Sequence, residues 1–226
     1  MNFLSHYYLE QHHPSPYFRF ASVFPDLLRQ SHPRLKLHSM KPYETNTGKL
    51  LQEGIEKHFL ADKAFHNSEF FKLHYGMIKD QFARSGFIHP ERKSFFIAHI
   101  LLEIILDRMI VLHENHVCRN FYNDLAEIDE SHIENLLGGH PGYSHEKFSR
   151  HFMRFKTSRY LYSYSGTQHI VYALNKICMR TGIRELDPGN CSKIESCITE
   201  ISGKMEKNYP GAFDEIKASE FAPGIS

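Results

Sequence analysis

Hydrophobic positions along this chain recur with a helical period almost throughout, and no sustained apolar–polar alternation of the strand type is present. A first short helix is expected over residues 3–11, ended by Pro14 and Pro16. A second is expected over 17–30, interrupted or kinked at Pro25, and the proline-bearing stretch 31–46 reads as a loop. Thr47 is placed to cap a helix running to Phe65, and Asn67 or Ser68 to cap the next, which ends near Gly86. Pro90 suits the first turn of a long helix reaching Leu125. Further helices are expected over 131–137, 144–160, 167–181 (stopped by Gly182) and 191–207, the last followed by a polar tail. With no internal repeat and no low-complexity linker, the reading is one all-α domain, a helical bundle spanning residues 1–226.

Two of these helices carry polar groups in a regular stripe. His58, Asp62 and His66 are spaced by four, and so are His99, Glu103 and Asp107. A step of four leaves consecutive side chains only about 40° apart around a helix, so each triplet lines one face. The second triplet lies among Phe95, Phe96, Ile97, Ile100, Leu101, Leu102, Ile104, Ile105 and Leu106, which demand burial. Acids in such surroundings are costly unless they are paired or bound to a cation. Imidazole nitrogen with carboxylate oxygen is a donor set for Mn²⁺, Fe²⁺ or Zn²⁺, and the absence of cysteine from the stripes argues against a closed structural zinc site. Ferritin-like di-iron bundles use a Glu-x-x-His spacing of three, which a spacing of four does not match.

Composition narrows the field. At 226 residues and 41% hydrophobic content the chain can bury a substantial core. A formal net charge of +1 gives no electrostatic sign of a nucleic-acid partner. The four cysteines, Cys118, Cys178, Cys191 and Cys197, lack metal-knuckle or redox spacing and read as free thiols in a reducing compartment. No segment has the length and apolarity of a membrane span or the pattern of a signal peptide, so a cytoplasmic protein without a membrane partner is expected. Of the 17 histidines, His12, His13, His32, His38, His132, His140 and His145 are expected to be solvent-exposed.

Several segments, in order, resemble the bacterial acyl carrier protein phosphodiesterases. The opening Met-Asn-Phe-Leu-Ser-His6 is similar to that family's Met-Asn-Phe-Leu-Ala-His. The stretch from Ala21 to Leu28 resembles its Gly-Asn-Leu-Leu-Gly-Asp-Phe segment, and Gly54 to His58, with Asp62 and Phe65-His66, resembles its Gly-Ile-x-x-His-Arg-x-Ile-Asp-x-Phe-Thr-Asp motif. Tyr160 to Tyr164, Gly166, Ile170, Leu174 and Arg180 follow its C-terminal pattern, so the similarity covers about residues 1–182 and leaves a C-terminal helix and tail, 190–226. The chain departs from the family at Phe59 (an arginine there), His66 (an aspartate), Tyr8 (a histidine), and His99 and Glu103 (two aspartates).

The resemblance implies a fold like that of the HD-domain phosphohydrolases, a divalent metal, and hydrolysis of a phosphoester, in the family the release of 4′-phosphopantetheine from holo-acyl carrier protein. It implies Asp26, His58 and Asp62 as central groups with His6 beside them. The expected metal set is therefore His6, Asp26, His58, Asp62, His99 and Glu103, with His66 and Asp107 as outer members. Asp26 or Asp62 would serve as proton acceptor and Arg154, Arg159 or Arg180 as phosphate-binding cations. Acyl carrier protein or a small phosphoester is the expected partner. The rival class is a non-catalytic helical bundle in which the same groups form a buried polar network or hold a structural ion.

Overall fold

Helical periodicity becomes twelve α-helices in a computed structural model of the protein, which describes residues 1–37, 45–87 and 93–220. They are α1 (Phe3–Glu10), α2 (Pro16–Ala21), α3 (Phe24–Ser31), α4 (Asn46–Asn67), α5 (Glu69–Ser85), α6 (Ser94–His113), α7 (Asn115–Glu127), α8 (Glu130–Leu137), α9 (His145–Ser158), α10 (Thr167–Arg180), α11 (Pro188–Met205) and α12 (Tyr209–Glu220), with a 3₁₀ turn over Tyr160–Ser165. No strand occurs among the described residues, and no helix there is long and apolar enough to cross a membrane.

Local chemistry explains most boundaries. The Ser68 hydroxyl accepts from the Phe71 amide at 3.0 Å to start α5, and Gly86 ends it in the left-handed conformation that glycine adopts without strain. Ser144 accepts from the Lys147 amide at the start of α9, and Asp187 from that of Asn190 in the first turn of α11. Four boundaries differ from the sequence expectation. The cap at the start of α4 is Thr45, whose hydroxyl accepts from the Gly48 amide at 3.1 Å, while Thr47 lies inside the helix. The stretch 17–30 is two helices: Ser22 and Val23 stay in the right-handed region but form a turn, with the Val23 amide bonded to Phe20, and the chain restarts with Pro25 in the first turn of α3. The long apolar helix stops at His113, where Glu114 takes φ −126°, ψ 50°, and α7 begins anew. Finally, the polar tail contains α12, which buries Ala212, Phe213 and Ile216. The expected opening at Pro90, and His38, lie outside the described residues.

Chain contacts gather the helices into two compact units, each assembled from two separated stretches: residues 1–62 with 115–160, and residues 63–114 with 161–226. The first packs α2 on α1 and α7, and α3 on α9. Its core is rich in aromatic rings in tilted and edge-on contact, among them Phe20, Phe24, Phe148 and Phe152. A buried polar network crosses it: Arg19 holds Asp124 through Nε and Nη2 at 2.6 and 2.7 Å, and the Tyr7 hydroxyl donates to Asp124 Oδ2 at 2.6 Å. The second unit packs α5, α6, α10 and α11 together through aliphatic side chains such as Ile78, Leu101, Ile105, Leu174 and Ile198, with α12 against α5. There the Glu215 carboxylate accepts from the Glu69 and Phe70 amides, satisfying the free N–H groups at the start of α5.

Candidate metal centres

In the first unit, α4 places Leu51, Gly54, Ile55 and His58 on one buried stripe. Gly54 is there because α2 passes so close: a Cβ on it would meet Ala21 Cβ at 2.5 Å and the Phe18 carbonyl oxygen at 2.6 Å. One turn further on, His58 is fully buried and its Nδ1 lies 2.9 Å from the Ser22 carbonyl oxygen. A carbonyl only accepts, so Nδ1 carries the proton and Nε2 presents a lone pair. That Nε2 is buried without a hydrogen-bond partner. The ring stacks on the imidazole of His6, centroids 4.0 Å apart, and donor atoms of His6, Asp26 and His58 lie within 4.8 Å of one another. Asp26 stands in the first turn of α3, where the helix dipole favours a carboxylate, and the exposed Arg29 guanidinium lies 3.9 Å from it.

Asp62 closes the group from the side. It pairs with the Met1 ammonium, and its oxygens stand 3.2 Å from His6 Nε2, off hydrogen-bond alignment, and 3.9 Å from His58 Nε2. Burial alone would raise the Asp62 carboxyl, but the Met1 ammonium, His6 and His58 hold it well below the usual carboxylate range. Burial, reinforced by the neighbouring His58 and opposed by Asp62, pushes His6 down to about 3, so its imidazole is neutral at physiological pH. A neutral His6 facing carboxylates, beside a His58 whose unpartnered buried nitrogen is held in place by a backbone acceptor, gives the donors and the outer support that a metal-ligating histidine needs. The residues present therefore fit a divalent ion.

The second unit holds another group. His66, in the last turn of α4, and His99 on α6 each set Nε2 against the same oxygen of Glu103, at 3.2 and 3.0 Å. Burial would push the Glu103 carboxyl up, but the contacts from His66 and His99 help to hold it below its ordinary value.

The expected single set of donors is thus distributed over two groups: His6, Asp26 and His58, with Asp62 alongside, and His66, His99 and Glu103. Asp107 is fully buried on α6 but is in neither. Arg154, Arg159 and Arg180 are exposed and also belong to neither, and the Arg159 guanidinium lies over the Tyr122 ring. His32, expected at the surface, is buried: it contacts the Ser31 hydroxyl and accepts from the Ser144 amide at 3.1 Å. Sequence reasoning missed the Ser22 carbonyl, which fixes the His58 tautomer, and Arg29. A glycine in mid-helix one turn before His58 was the available signal of a close approach. Comparison with family models, curated proteins and solved structures gives no match to this chain.

Proposed function

We propose that the protein is a metal-dependent phosphoester hydrolase whose centre is the His6, Asp26, His58 and Asp62 group. The observation that carries this reading is the buried, unpartnered His58 Nε2, aimed among carboxylates with its tautomer held by Ser22. The ordered resemblance over residues 1–182 to acyl carrier protein phosphodiesterases supports it, and with it an HD-like arrangement of helices and a substrate of the pantetheine-phosphodiester class.

His6 and His58 would offer neutral nitrogen and Asp26 and Asp62 oxygen, a set suited to Mn²⁺, Fe²⁺ or Zn²⁺. A divalent ion held there supplies Lewis acidity, easing loss of a proton from water and polarising a phosphoryl oxygen. The two carboxylates are unequal. Asp62 is tied to an ammonium and is a weak base, and Asp26 lies 3.9 Å from the exposed Arg29. With Asp62 held as a weak base, Asp26 would accept the proton of the attacking water. Arg29, one helical turn from Asp26, would neutralise phosphate charge, a role the sequence reading gives to Arg154, Arg159 or Arg180.

The test is a screen of purified protein with Mn²⁺, Fe²⁺ or Zn²⁺ against aryl phosphomonoesters, aryl phosphodiesters and holo-acyl carrier protein. Turnover is expected, falling by about 10²-fold or more in Asp26→Asn and abolished in His58→Ala. Absence of turnover with all three ions on every substrate overturns the reading and leaves a non-catalytic bundle.

A further inference from the structure

We propose that His66, His99 and Glu103 form a second metal site, selective for a borderline transition ion such as Zn²⁺ or Co²⁺ and open to solvent. His99 and Glu103 stand one turn apart on α6, and His66 comes from α4, so two helices supply three donors within 4.8 Å of one another. Both imidazoles converge on one carboxylate oxygen, a geometry in which each ring has already turned its Nε2 toward the point an ion would occupy. Their orientation is held by packing: the Phe71 ring stands edge-on to His66 at 5.1 Å and to His99 at 5.2 Å. To hold an ion each ring would present Nε2 without its proton, and Glu103 would supply the anionic oxygen.

The chemistry of the donors selects the ion. Two imidazoles and one carboxylate match Zn²⁺, Co²⁺ or Fe²⁺, whereas Mg²⁺ and Ca²⁺ require mainly oxygen. Access distinguishes this site from that of the first unit. The His66 and His99 side chains are 32% and 36% exposed, against 1% for His6 and 0% for His58, so an ion enters directly and keeps coordination positions for water or an exogenous anion.

The experiment is a Co²⁺ titration of full-length, chelator-stripped protein, read by visible absorption and by metal content per chain, with no activity measurement. The His66→Ala/His99→Ala double variant is expected to bind one equivalent less than wild type and to lose the matching absorption, and His58→Ala to retain both. Glu103→Gln, with helicity checked by circular dichroism, is expected to lose the same equivalent. Unchanged stoichiometry and spectrum in the double variant overturn the proposal. A single equivalent that only the His66, His99 and Glu103 variants remove upholds it while counting against an ion in the first unit.

Discussion

Replacing Gly54 by alanine tests whether the passage of α2 over α4 positions His58. The added Cβ would lie 2.5 Å from Ala21 Cβ and 2.6 Å from a backbone oxygen, neither of which is the end of a flexible side chain. Carbon atoms settle about 3.5–4.0 Å apart, so the two helices must separate by about 1 Å. Overpacking of this kind costs about 1–3 kcal/mol, and alanine in place of glycine in a helix returns about 1 kcal/mol. The net is a loss of up to about 2 kcal/mol, or a fall in Tm of up to about 8 °C for a chain of this size. The same displacement draws the Ser22 carbonyl away from His58 Nδ1, now 2.9 Å distant. Loss of such outer support weakens metal binding by about 10–100-fold. Gly76→Ala is the control: that glycine is also mid-helix, on α5, but nothing lies within 4 Å of its would-be Cβ. It is expected to raise stability by about 1 kcal/mol. Thermal unfolding by circular dichroism and isothermal titration with Mn²⁺ read both effects. A Gly54→Ala protein that melts at or above the wild-type temperature and binds metal equally well would refute the argument.

Two further outcomes follow from buried polar groups. Asp124→Ala strands the Arg19 guanidinium and the Tyr7 hydroxyl in the first unit and is expected to cost about 3–5 kcal/mol, read as a lower urea midpoint; a shift under about 1 kcal/mol would mean the network is hydrated and of little consequence. In chelator-treated protein, His6 titrates near 3 folded and near 6.5 unfolded, so between those values the unfolded chain binds the extra proton and stability falls as pH falls. The full effect is of order 5 kcal/mol, and His6→Gln should flatten the urea midpoint between pH 6.5 and 4.5; a wild-type midpoint already flat there contradicts the assignment.

Helical class, and the two polar stripes, were legible because periodicity is a local property and a spacing of four is a statement about one helix face. What sequence could not reveal depended on meetings between distant segments. His66 and Glu103 share a contact across 37 positions, and nothing near either residue announces it. The break at Glu114 has no glycine or proline to mark it, and α12 lies in what reads as a polar tail, with Pro210 at home in its first turn. Burial of His32 likewise depends on Ser144, 112 residues away.

The two compact units are interleaved along the chain, and this bears on how the protein is made. His6, Asp26 and His58 emerge from the ribosome among the first 58 residues, but α7 and α9, on which α1, α2 and α3 pack, are synthesised only after residue 115. During elongation the donors of the first unit therefore wait, without their aromatic backing, while the first half of the second unit is translated. Neither unit is a contiguous segment, so no single cut yields one of them whole. A fragment ending at residue 114 would carry every donor of both groups and the complete core of neither.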